Sequence, residues 1–214
     1  IDIDFSGNTS FETTNMVSGS NNWNVNSIEY NGKIYFLGGY SGTNSLNTIY
    51  EYDLNTSNFS LVANFTLSRN VSTIVLGNDG WIYCLGGLWN ASTSERFNPT
   101  TYQVESRADL PYGVHNGHNV WHISAESSIY FFESGVDSII YKYDYLNDTV
   151  ASTGYQVNGS FTNRSIMDSN DPYSIYSFKL NPDENSPLKL VKLTLNTSLC
   201  SDTIINDTAT NYVS

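Results

Sequence analysis

Positive charge is scarce in this chain. Nine Lys and Arg stand against 21 Asp and Glu, a formal net charge of −12, and the cations are scattered singly. Binding to polyanions needs clustered Lys and Arg, so the composition argues against nucleic acid and against an anionic membrane surface as partners. Charged residues of both signs reach only 14%, where soluble domains usually carry about 25%. No apolar run approaches the roughly 20 residues that span a bilayer, so no transmembrane segment is expected. Cysteine is limited to Cys84 and Cys200, too few to define a disulfide framework. There is no Gly-rich phosphate loop and no sustained 3.6-residue period with caps, which removes nucleotide-binding and helical readings. The chain opens at Ile1 with neither a basic n-region nor an apolar h-region. That opening is expected of a chain whose signal peptide is gone, or of a piece of something longer.

What fills the space is aromatic and neutral polar. Aromatics make up 14%, with 16 Tyr, and there are 27 Asn and 48 Ser plus Thr. Hydroxyls, amides or attached sugars must supply the solubility that charge does not.

A repeat organises these residues. Ile34-Tyr35-Phe36-Leu37, Ile82-Tyr83-Cys84-Leu85, Ile129-Tyr130-Phe131-Phe132 and Ile175-Tyr176-Ser177-Phe178 begin 48, 47 and 46 residues apart. Apolar on both faces, each reads as a strand covered on both sides. Turn signals usually precede it: Asn31-Gly32-Lys33, Asn78-Asp79-Gly80 and Asp171-Pro172. A second, alternating element follows in phase and ends in an Asx-type turn. Its copies are Tyr50-Glu51-Tyr52-Asp53-Leu54-Asn55-Thr56, Glu95-Arg96-Phe97-Asn98-Pro99-Thr100, Tyr141-Lys142-Tyr143-Asp144-Tyr145-Leu146-Asn147 and a faded Val191-Lys192-Leu193-Thr194-Leu195-Asn196-Thr197. The opening segment from Ile1 to Asn8 matches this element with no tetrad before it.

With the linking segments Leu67-Ser68-Arg69-Asn70-Val71-Ser72 and Leu110-Pro111-Tyr112-Gly113-Val114-His115-Asn116-Gly117-His118, the pattern resembles the kelch repeat. Gly38-Gly39 and Gly86-Gly87 match its double glycine, and Tyr52-Asp53 and Tyr143-Asp144 its Tyr-Asp pair. Arg69 with Ser72, and His118, match its inner-strand positions. Glu133-Ser134 and Lys179-Leu180 depart from the double glycine in the later repeats. The resemblance covers roughly residues 1–205 and implies an all-β fold, a β-propeller of four-stranded antiparallel blades. About four full blades are expected (22–66, 67–110, 111–155 and 160–205). Partial blades flank them, with outer strands at 1–16 and the start of a further strand at 206–214. Two arrangements stay open: a partial propeller completed by further sequence or a neighbouring subunit, or a small ring that closes irregularly.

Asn-x-Ser/Thr occurs at Asn8, Asn55, Asn58, Asn64, Asn70, Asn90, Asn147, Asn158, Asn163, Asn196 and Asn206. Asn8, Asn55, Asn147 and Asn196 are expected in turns between third and fourth strands, and Asn90 in a loop between second and third. Asn64, Asn70, Asn158, Asn163 and Asn206 are expected in or near the links between blades. A sugar can be attached only on an accessible loop, and these positions predict covalent N-glycans and an extracellular or cell-surface protein.

Catalytic and metal chemistry find little support. The histidines His115, His118 and His122 cluster, but on an extended strand His118 and His122 lie about 13 Å apart at roughly 3.3 Å per residue. Zinc ligands must converge within about 4 Å. Asp2/Asp4 and Asp183/Glu184 lack calcium-loop spacing, and Asn78-Asp79-Gly80-Trp81 reads as a hairpin turn rather than a sialidase-type motif. No metal, cofactor or catalytic residue is expected. Cys84 lies within a buried tetrad two blades from Cys200, beyond the roughly 7 Å a disulfide allows between Cα atoms. The expected function is a non-catalytic, glycosylated structural component of a surface coat, wall or filament, in contact with a protein partner or with copies of itself. The alternative is a secreted or ectodomain module recognising protein or carbohydrate at the channel mouth, where exposed Tyr and Trp89 stack on sugars. A copper radical oxidase-like enzyme, which the kelch resemblance also admits, is a distant third.

Overall fold

The computed structural model describes residues 24–88, 90–114, 119–132, 138–157, 161–168, 170–179, 189–195 and 208–209. Within them the chain forms four antiparallel, four-stranded sheets, each a meander in chain order, and a single turn of 3-10 helix at Ser124–Glu126. The first sheet holds β1 (Asn26–Tyr30), β2 (Lys33–Leu37), β3 (Thr48–Asp53) and β4 (Asn58–Asn64). The second holds β5 (Thr73–Leu76), β6 (Ile82–Leu85), β7 (Ser94–Phe97) and β8 (Val104–Arg107). The third holds β9 (Asn119–Ile123), β10 (Ser128–Phe132), β11 (Ser138–Asp144) and β12 (Thr149–Val157). The fourth holds β13 (Phe161–Asp168), β14 (Asp171–Lys179), β15 (Lys189–Thr194) and β16 (Thr208–Ala209). These are the blades of a β-propeller.

The four isoleucines that begin the tetrads occupy one register position. Ile34 pairs with Tyr52, Ile82 with Phe97, Ile129 with Tyr143 and Ile175 with Leu193, always second strand against third. Local chemistry closes the hairpins. Asn31 and Gly32 both take positive φ, 52° and 74°, which is what a two-residue turn matched to strand twist demands. Between third and fourth strands the turns end on a residue in the left-handed region, Ser57, Tyr102 or Asp148. Each such turn begins with an Asx side chain. Asp53 Oδ1 accepts from the N–H groups of Asn55 and Thr56, Asn98 Oδ1 from Thr100 and Thr101, and Asp144 Oδ1 from Leu146 and Asn147.

The sheets stack in sequence order, and every interface joins unlike faces. Tyr35 and Leu37 of the first sheet meet Ile82, Cys84 and Phe97 of the second. Tyr83 and Leu85 of the second meet Ile129, Phe131 and Tyr143 of the third. Tyr130 and Phe132 of the third meet Ile175, Val191 and Leu193 of the fourth. Each fully buried side chain of this size stabilises the fold by about 1.5–3 kcal/mol, so these three layers are the core. Two-sided burial of the tetrads holds along β6 and β10, whose residues are all buried, and only partly along β2. On the other face of the first sheet Ile34 and Phe36 are half-buried, Phe59 stacks on Tyr50 at 5.0 Å between ring centroids, and Leu61 is 52% exposed.

The expected blade boundaries need two adjustments. β12 runs to Val157, past residue 155, because the ladder slips between Ile139 and Tyr141 and Gly154 bends with positive φ. β16 at Thr208–Ala209 pairs with β15 as the fourth strand of the fourth sheet, beyond the expected limit of 205 and inside what was expected to begin a further strand. The connection before it spans 195–207, where the first and third sheets turn in four residues and the second in six. The partial blade expected over 1–16 lies outside the described residues.

Candidate functional site

The tightest polar cluster sits where the first sheet hands over to the second. In the first repeat Gly38 donates to Thr48 O at 2.9 Å and Gly39 to Arg69 O at 2.7 Å, while Arg69 N–H donates to Leu46 O at 2.7 Å. The second repeat copies this arrangement. Gly86 donates to Thr93 O, Gly87 to Val114 O at 2.7 Å, and Val114 N–H to Ala91 O at 2.7 Å. All four glycines have positive φ. A Cβ on Gly38 would collide with the carbonyl of Arg69, and one on Gly86 with the carbonyl of Val114. The double glycine is therefore required by backbone approach as well as by dihedral. The matching positions at Glu133-Ser134 and Leu180 lie outside the described residues.

Arg69 belongs to the link before β5 rather than to an inner strand, and the equivalent place in the next link is held by Val114. Its side chain is 0% exposed and pairs with Glu95, 1% exposed, at 2.7 Å. Arg69 Nε and Nη2 both donate to Glu95 Oε2, at 2.9 and 2.7 Å, and Nη1 donates to the carbonyls of Gly86 and Thr93. The backbone N–H of Thr66 donates to Glu95 Oε1 and that of Leu67 to Oε2. Backbone bonds thus tie Arg69 to the first sheet while its guanidinium is anchored in the second. Buried charge is tolerated only when paired and hydrogen-bonded, and here both groups are. Glu95 went unnoticed as a partner in the sequence. The signal was there: it replaces a tyrosine, since Glu95 pairs with Cys84 where Tyr50 pairs with Phe36 and Tyr141 with Phe131.

The remaining repeat positions are structural as well. Asp53 is held ionised below the ordinary carboxylate range by the backbone N–H groups of Thr56 and Asn55, and Asp144 by that of Asn147. Tyr143 is buried, and its hydroxyl donates to Asp148 Oδ1 at 3.0 Å. Tyr52 faces Ile34 in register. His115 and His118 lie outside the described residues. His122, on β9, brings Nε2 within 3.3 Å of the Tyr145 hydroxyl, which donates to Asn78 Oδ1 at 2.9 Å. Burial lowers the His122 pKa below 6.5. Among the described residues no group of His, Cys, Asp or Glu is placed to hold a metal ion. Cys84 is a free, buried thiol donating to Ser72 Oγ at 3.2 Å, with its pKa pushed up by burial; Cys200 lies outside the described residues. No described helix is long and apolar enough to cross a membrane.

The sequons divide by exposure. Asn55, Asn58, Asn64 and Asn147 are exposed, at or beside the ends of fourth strands. Asn90 is half-buried in the loop between β6 and β7. Asn70 is only 4% exposed, and its Oδ1 is buried without a partner; that burial leaves no room for a sugar and removes Asn70 from the expected set. Asn163 lies within β13 rather than in a link. Asn8, Asn158, Asn196 and Asn206 lie outside the described residues. Beside Asn90, a groove of about 560 Å³ is lined by Tyr40, Thr43, Asn44, Ser45 and Ser68 as well as Asn90 itself.

With this geometry in view, the comparison with known families is specific: residues 24–66, the whole first sheet, match the family model of the kelch motif. The first sheet is thus similar to a kelch repeat, and the three sheets after it repeat its strand order. Domains built of kelch repeats generally serve as protein-interaction modules. A comparison with curated proteins finds no match.

Proposed function

We propose that this chain is a non-catalytic, N-glycosylated extracellular interaction module that serves as a structural component of a surface assembly. The observation that carries this reading is the exposure of Asn55, Asn58, Asn64 and Asn147 on turns and strand ends, in a chain whose charged residues make up only 14%. Sugars there would solvate an aromatic surface that charge does not. The described buried ionic groups support a non-catalytic role, since the Arg69–Glu95 pair is spent on holding two sheets together.

The test is secretion of the full chain from a eukaryotic host, with intact mass before and after peptide N-glycosidase and glycopeptide mapping. Sugars are expected at Asn64, Asn147 and at least one of the closely spaced Asn55 and Asn58, with Asn70 bare. A chain that passes through the secretory pathway without a mass shift refutes the reading. Light scattering of the purified glycoprotein over a range of concentrations then separates the two binding roles. Concentration-dependent self-association supports the structural assembly, and a persistent monomer that captures another protein or a carbohydrate supports the recognition module.

A further inference from the structure

The groove between the loop after β2 and the link before β5 has a chemistry of its own. We infer that it is a saccharide seat, occupied by the first sugar of a glycan carried on Asn90; this rests on the glycoprotein reading above. Its lining of Tyr40, Thr43, Asn44, Ser45, Ser68 and Asn90 contains hydroxyls, amides and one aromatic ring, and no charged side chain. Such a lining has nothing to neutralise a phosphate or hold a cation. It suits a neutral pyranose, whose hydroxyls meet amides and hydroxyls and whose C–H face meets a ring. The volume of about 560 Å³ falls within the roughly 300–1,000 Å³ of small-ligand clefts.

A further observation concerns the rim of the groove. Asn90 is held at the rim: its Nδ2 donates to Ser68 O at 2.8 Å, its backbone N–H donates to Gly87 O, and Thr93 Oγ1 donates to its carbonyl. Glycosyl transfer forms a bond from Nδ2 to sugar C1 as the C1–O bond to a polyprenyl pyrophosphate donor breaks. The amide gives up one proton and the pyrophosphate carrier leaves. The second amide hydrogen stays, and the bond to Ser68 O is kept when the sugar replaces the hydrogen not donated there, the geometry that starts the sugar at the groove. Tethering gives that sugar an effective concentration in the millimolar range, which a shallow neutral seat needs.

The full glycosylated chain is treated in its native state with peptide N-glycosidase, and release is followed site by site. Release at Asn147 should outpace release at Asn90 by about tenfold or more, a protection worth about 1.4 kcal/mol per decade. Tyr40→Ala should bring the two rates together and Tyr40→Phe should preserve the difference, with an unchanged rate at Asn147 certifying the fold. In NMR spectra of the native glycoprotein, the ring of Tyr40 should shift the signals of the Asn90-linked sugar, and the shift should vanish in Tyr40→Ala. Equal release in the wild type, or a bare Asn90 beside an occupied Asn147, overturns the inference and leaves the glycoprotein reading standing. Sugar at no sequon overturns both. Unglycosylated chain titrated with N,N′-diacetylchitobiose tests the free source: binding no tighter than millimolar supports the tethered sugar, and micromolar saturation overturns it.

Discussion

Replacing Arg69 with methionine should bring this protein close to unfolding. The substitution keeps much of the side-chain volume and removes the positive charge. It leaves the Glu95 carboxylate, 1% exposed, with only the N–H groups of Thr66 and Leu67 for company. Breaking a buried pair by deleting one partner costs about 3–5 kcal/mol. The carbonyls of Gly86 and Thr93 lose their donor as well, and a buried polar group left unpaired costs about 1–3 kcal/mol. Against a total stability of about 5–15 kcal/mol, the loss is a large share. Arg69→Lys keeps the charge but a single ammonium does not reproduce the fork that serves Glu95 and two carbonyls together, so it should recover only part. The double variant Arg69→Met/Glu95→Leu should be less destabilised than the sum of its singles by about 2 kcal/mol or more, because no lone charge remains. Urea unfolding followed by circular dichroism gives each value from the midpoint at constant slope. An Arg69→Met or Glu95→Gln variant within about 1 kcal/mol of wild type would refute this account of how the first two sheets are joined.

Glycine substitutions should divide by what surrounds them. Gly86→Ala drives a Cβ into the Val114 carbonyl and should prevent folding, whereas Gly42→Ala meets nothing within 4 Å and should cost only the backbone strain of its positive φ, about 1–2 kcal/mol, both read from thermal melts. Acidification should weaken the fold through His122. Its folded pKa lies below 6.5 because burial penalises the charged ring, so the stability tied to it is complete above 6.5 and drains as pH falls through the lower folded value. Urea midpoints between pH 7 and 5 should fall less steeply in His122→Gln, and an unchanged slope would remove His122 from the account. In a Cys200→Ser background, Cys84 should resist thiol reagents until the protein unfolds, since its buried thiol has a raised pKa; labelling of the native protein as fast as of the urea-denatured chain would contradict its place in the core.

Most of the architecture was legible because one unit is written four times. Ile34, Ile82, Ile129 and Ile175 announce equivalent strands by spacing, and the Asx turns at Asp53, Asn98 and Asp144 follow from short side chains that bond the backbone two or three residues ahead. Those contacts are local. The contact that matters most at the first junction joins Arg69 to Glu95 across 26 residues, and no local rule reveals which cation meets which carboxylate. Only the replacement of tyrosine by Glu95 at its repeat position marked the place. Sequons were legible as patterns and not as surfaces: Asn70 has the right neighbours and is buried, because the link it sits in lies under the loop of Gly87, whose neighbour Leu88 donates to Asn70 O. The fourth sheet ends later than the period indicates because residues 195–207 separate β15 from β16, against four residues between third and fourth strands in the first and third sheets and six in the second.

Each of the three described interfaces joins a tyrosine side to an isoleucine side, so the series has a direction, like roof tiles laid in courses. A tile can be added or taken out whole, since the exposed sides on either side of the gap are still of opposite kind. Half a tile cannot. Such a molecule can change length in steps of one repeat while keeping its apolar contact surfaces, provided the Arg69–Glu95 junction is left intact, and insertions that respect the period should be tolerated far better than shorter ones.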